Sequence, residues 1–107
     1  MKSKDFDKLI EHRIALIREV LIRKGAEYSH GKPERFHNFY RAAEIQHSTP
    51  EKALIGMLSK HLVSIFDMAD TILDTRYCDA YIEEKIGDAI NYLILLEGIL
   101  KQRQMPF

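Results

Sequence analysis

The stretch TPEKALIGMLSKHLVSIFDMADTIL, residues 49–73, decides the fold. Thr49 can accept a backbone N–H as an N-cap, Pro50 loses nothing at the first helical position, and Glu51 suits the positive end of a helix dipole. Leu54, Met57, Leu58, His61, Leu62, Ile65, Met68, Ala69 and Ile72 then recur at the 3.6-residue period of an amphipathic helix. A long helix running to about Leu73 follows.

Outward from it, the segment 74–79 breaks the period, and Asp79 is the expected N-cap of a last helix reaching about Gln102. Upstream, Phe6, Leu9, Ile10, Arg13, Leu16, Ile17, Val20 and Leu21 keep three- and four-residue steps over 6–22, with Ser3 as N-cap and Gly25 as stop. The loop GAEYSHGKPER, residues 25–35, precedes a short helix from Pro33 to about Gln46, with Phe36, Phe39, Tyr40, Ala43 and Ile45 inward. Val and Thr are sparse and nothing alternates with period two, so no strands are expected. The expected fold is all-α, one domain over 1–107, an antiparallel bundle of three long helices and one short one that self-associates through the apolar end of the last helix.

Composition narrows the function classes. The chain has 107 residues, 16 basic and 16 acidic, so no global field favours nucleic acid or an anionic membrane. With 46% hydrophobic residues it can hold a core. Its one cysteine, Cys78, cannot form an internal disulfide, which points to a reducing compartment. The start, MKSKDFDKLIEHR, lacks the apolar stretch of a signal peptide, and no apolar run approaches the roughly 20 residues of a membrane span. The expectation is a cytoplasmic protein, of a cell or of a phage-infected cell, without a membrane partner.

The last helix carries the main chemical signal. Ile82, Ile86, Ala89, Leu93, Leu96 and Leu100 share one side, and Glu84, Asp88 and Asn91 stack on the opposite one. Leu95 and Ile99 continue that polar side, so the trio is expected to face another helix or subunit. A functional site, a buried structural network and a solvated face all remain open for it. Carboxylates at i and i+4 lie close enough to share a hard cation such as Mg²⁺. On the preceding helix Lys60, Ser64, Asp67 and Thr71 line one stripe, with Asp70 one turn from Asp67. An antiparallel pairing could bring Asp67 or Asp70 towards Glu84 and Asp88, though a plain surface face fits these two aspartates equally well. His61 reads as a half-buried histidine with a satisfied ring rather than a ligand or base. The basic loop set Lys24, Glu27, Tyr28, His30, Lys32, Arg35 and His37 suits phosphate or base contacts, or simple solvation.

The strings RFHNFYRAA (35–43), TPEKALIGM (49–57), KHLVSIFDM (60–68) and EKIGDAINY (84–92) resemble small phage and prophage proteins. With KGAEY (24–28) upstream, the pattern is similar to the nucleotide-modification-associated domain of phages and, more distantly, to the MazG-like all-α NTP pyrophosphatases. That resemblance implies a four-helix unit, dimeric or tetrameric, with magnesium on acidic residues and a nucleoside triphosphate cut to monophosphate and pyrophosphate. The metal positions it implies here are Glu84 and Asp88, with Asp67 and Asp70 on the preceding helix; Lys24, Arg35, Asn38, Lys60 and Asn91 are the expected nucleotide contacts. The EExxE pair of that family is absent, and its ExxD is one residue wider, with Lys85 where a glutamate is usual. The sequence thus leads to a phage-type nucleotide-processing or nucleotide-binding protein, a possible Mg-dependent (d)NTP pyrophosphohydrolase; the competing class is a non-enzymatic helical interaction module that binds a host or defence protein.

Overall fold

The computed structural model describes residues 1–25 and 34–105, and every regular element among them is helical. Four α-helices appear: α1 (Ser3–Arg18), α2 (His37–Gln46), α3 (Pro50–Thr71) and α4 (Asp79–Arg103). The chain divides into two compact units, Met1–Arg35 and Phe36–Phe107.

In the first unit, α1 is followed by a π-helical turn, Glu19–Arg23, closed by the Lys24 amide donating to the Glu19 carbonyl at 3.2 Å. Ser3 is the first helical residue and Lys2 the N-cap, one residue ahead of the expected boundary. The apolar stripe is present, but among the described residues of α1 none is buried, Phe6, Leu9 and Ile10 of the expected inward set included. The π-helical turn ends at Lys24, but Gly25, the expected stop and start of the loop, is itself helical, and the rest of the expected loop up to Pro33 lies outside the described residues.

The second unit is a three-helix arrangement. Thr49 caps α3 as expected, its Oγ1 accepting from the Lys52 amide at 3.2 Å, with Pro50 at the first turn. The short helix α2 begins at His37, and it ends in a left-handed residue, His47, after which the Ser48 amide donates to the Ala43 carbonyl at 2.9 Å. Helix α4 is capped by Cys78 rather than Asp79. Contacts near both ends and the middle of α3 and α4 show that they run antiparallel: Glu51 meets Arg103, His61 meets Asp88, and Thr71 meets Tyr77 of the connection.

Phe39, Leu54 and Ile99 form the centre of the core, joined by Phe36, Met57, Tyr92, Leu95 and Leu96. Leu54 and Ile99 are fully buried, each gaining about 1.5–3 kcal/mol from leaving water. The expected inward set of α3 holds for Leu54, Leu58 and Met68, whereas Ala69 and Ile72 are exposed. In α2 Phe39 and Ala43 are buried and Ile45 is exposed, contrary to expectation. The largest correction concerns α4. The side on which Asn91 sits continues through Leu95 to Ile99 into the core; of the expected inner side Ala89 is buried, Leu96 packs against the core and Ile86 is half-buried, while Ile82, Leu93 and Leu100 are exposed. Between Tyr92 and Leu100 helix α4 has apolar residues on most sides, so period alone could not choose its buried face there.

Candidate functional site

The functional side chains of α4 are positioned by its packing on α3. Because Ile99 and Leu95 point into the core, the residues one and two turns earlier on the same side, Asn91 and Asp88, must also face α3. Asp88 Oδ2 lies 3.5 Å from His61 Nδ1, and both side chains are partly buried. Tyr92, one residue beyond Asn91, lays its ring on His61 with centroids 5.3 Å apart and planes 31° from parallel. Two polar atoms in this group, His61 Nδ1 and Asn91 Oδ1, are buried without a hydrogen-bond partner. Such atoms cost stability when they are left unsatisfied, and they are rare unless something else meets them.

This niche of the α3–α4 contact therefore brings the Asp88 carboxylate and the His61 imidazole beside one tyrosine ring, with the buried amide oxygen of Asn91 on the residue before that tyrosine. The reading of His61 as a half-buried histidine with a satisfied ring is corrected at Nδ1, which lies within ion-pair distance of Asp88 but makes no hydrogen bond. The pairing of His61 with Asp88 has no signature in the sequence. Only the antiparallel register between α3 and α4 brings them together, and no spacing within either helix encodes it.

The expected metal positions do not converge. Asp67, Asp70 and Glu84 are exposed, and among the described residues no three His, Cys, Asp or Glu side chains could hold an ion together. The hydroxyls beside the aspartates are spent locally: Thr71 donates to the Asp67 carbonyl at 2.7 Å and shares a 2.6 Å bond with the Tyr77 hydroxyl, while Ser64 donates to the Lys60 carbonyl at 3.4 Å. The donor set does not fit a four-carboxylate magnesium centre.

Of the expected nucleotide contacts, Asn91 precedes Tyr92 on α4 with its Oδ1 buried, Lys60 is exposed on α3 next in sequence to His61, and Asn38 is half-buried in the first turn of α2. Lys24 and Arg35 belong to the first unit. Lys24 is exposed, and Arg35 is committed there, its Nη2 donating to the Leu21 carbonyl at 3.4 Å with its guanidinium lying over Gly25. His37 opens α2, and Glu27, Tyr28, His30 and Lys32 lie outside the described residues.

A hollow of about 350 Å³ at the α3–α4 connection, lined by residues 72–77, includes none of the expected site residues. No described helix is long and apolar enough to cross a membrane. Comparison with protein-family models, with curated proteins and with solved structures gives no match for this chain.

Proposed function

We propose that the chain is a nucleotide-binding protein of MazG-like ancestry, of the phage type, that recognises its ligand at the niche of His61, Asp88, Asn91 and Tyr92. The observation that carries this reading is the buried, unpartnered Asn91 Oδ1, on the residue before the tyrosine that packs on His61, the partner of Asp88. A nucleobase edge supplies N–H donors that an amide oxygen and a carboxylate accept, and its ring gains from contact with aromatic faces. Lys60 is the cation adjacent to this niche in sequence, available for a phosphate. Since the carboxylates do not fit a shared magnesium ion, the reading is one of recognition and includes no hydrolytic step.

The test is calorimetric titration of the natural nucleoside mono- and triphosphates, with and without magnesium, into the parent and an Asn91→Leu variant. Removing a hydrogen-bond acceptor that a ligand uses should weaken binding about tenfold or more. Absence of binding to any nucleotide in the parent, or equal affinity in the variant, removes the proposal.

A second reading, the helical interaction module, is favoured by α1, an amphipathic helix of 16 residues with none of them buried. Under it, replacing Leu9 and Ile14 by Lys abolishes association with the partner protein; under the first reading the same change leaves nucleotide affinity unchanged.

A further inference from the structure

Helix α3 carries a second pattern on the side away from the core. Lys52, Gly56, Ser59, Val63, Phe66 and Asp70 recur with steps of four, three, four, three and four residues, the spacing of a helix–helix seam. All six are exposed, Val63 at 57% and Phe66 at 61%. Gly56 is the odd member. Glycine is among the poorest helix formers, and nothing lies within 4 Å of where a Cβ at this position would sit, so no packing within the chain accounts for it. Lys52 and Asp70, at the two ends of the seam, enter no ion pair among the described residues.

We infer that a second copy of this chain docks on this face, α3 against α3, antiparallel, with Phe66 of each copy seated over Gly56 of the other. In an antiparallel pair the seam layers match Lys52 with Asp70, Gly56 with Phe66, and Ser59 with Val63, each occurring twice about a two-fold axis level with residue 61. The match is one of size and of charge: the smallest residue meets the largest, and the cation meets the anion. A pattern that complements its own reverse is what a copy of the same chain requires and what an unrelated partner does not. Ile55, 44% exposed, borders the seam and adds apolar area to the same contact.

The experiment is sedimentation equilibrium of the full chain from micromolar to submillimolar concentration at low salt, with helical circular dichroism as the control for folding. The parent is expected to dimerise, and Phe66→Glu and Gly56→Leu to be monomeric with unchanged helicity; both positions are exposed, so the fold tolerates them. Lys52→Asp and Asp70→Lys should each weaken the dimer by about fivefold, as an exposed ion pair allows, and the double exchange should restore it. A monomeric parent overturns the inference. So does a dimer that survives both Phe66→Glu and Gly56→Leu, or one that Leu9→Lys on α1 abolishes while Phe66→Glu does not. Failure of the double exchange to restore affinity overturns the antiparallel register.

Discussion

The Phe36 ring occupies the space beside Gly98: its Cζ lies 2.7 Å from the point where a Cβ at position 98 would sit. Phe36 packs against the Phe39, Leu54 and Ile99 cluster, so the absence of a side chain at 98 lets the residue ahead of α2 approach α4 closely. Gly98→Ala adds helix propensity worth about 1 kcal/mol but forces the ring to move within a packed core, at a cost of about 1–3 kcal/mol. The balance is a net loss, read as a lower melting temperature. Trimming the ring with Phe36→Leu should make Gly98→Ala favourable, and a double-mutant cycle that shows simple additivity would contradict this account.

Asn91 and His61 carry the opposite sign. Their buried, unpartnered atoms cost the folded state, and replacing each by an apolar group of similar size removes that cost. Asn91→Leu and His61→Phe should each raise stability, by roughly 1–3 kcal/mol at most, because the desolvation penalty of one polar atom sets the ceiling. The phenyl ring retains the stack on Tyr92. Denaturant melts with an unchanged slope and a higher midpoint would bear this out; a lower midpoint would mean that the two atoms are satisfied in solution.

Two neighbouring residues between α2 and α3 should respond in opposite directions. His47 is the single described non-glycine residue with positive φ, at 51°, and His47→Gly removes the steric cost of the left-handed backbone, raising stability by about 1 kcal/mol. Thr49→Ala deletes the oxygen that accepts from the Lys52 amide and should lower stability by about 1 kcal/mol. Thermal melts of the two variants and their double mutant check both signs at once.

The start of α3 was legible because capping is local chemistry: Thr49, Pro50 and Glu51 act through their own backbone and need no knowledge of the rest of the fold. The all-helical class was legible for a related reason, since periodicity is a property of each helix alone. What lay beyond the sequence was set by packing between helices. The face of α4 that turns inward depends on where α3 lies, and with apolar residues on most sides the pattern left the choice open. Asp88 and Asn91 were rightly placed against another helix, because Leu95 and Ile99 continue their side, but Glu84 is exposed. The approach of Asp88 to His61 requires the antiparallel register, and the expected gathering with Asp67 and Asp70 fails because those two point to the exposed side of α3.

The pairing of Glu51 with Arg103 gives a pH dependence of definite sign. The guanidinium donates from Nε at 2.6 Å and from Nη2 at 2.9 Å, tying the start of α3 to the end of α4. The bond from Arg103 holds the Glu51 carboxyl below its ordinary value of 4.5, against the smaller opposing effect of burial. The Arg103 pKa is in turn raised, so the arginine stays charged throughout and contributes no titration of its own in the acid range. A carboxylate whose pKa is depressed by folding stabilises the native state above its unfolded value and loses that contribution as the pH falls through the folded value. The melting temperature of the parent should therefore exceed that of Glu51→Gln by a constant margin above the unfolded value of 4.5, and the margin should shrink steadily below it. Arg103→Lys should recover only part of the margin, since an ammonium cannot span both oxygens. Added salt should narrow the margin, because the arginine is exposed and the attraction is open to screening. A margin that widens in acid would show that the bidentate contact is not formed in solution.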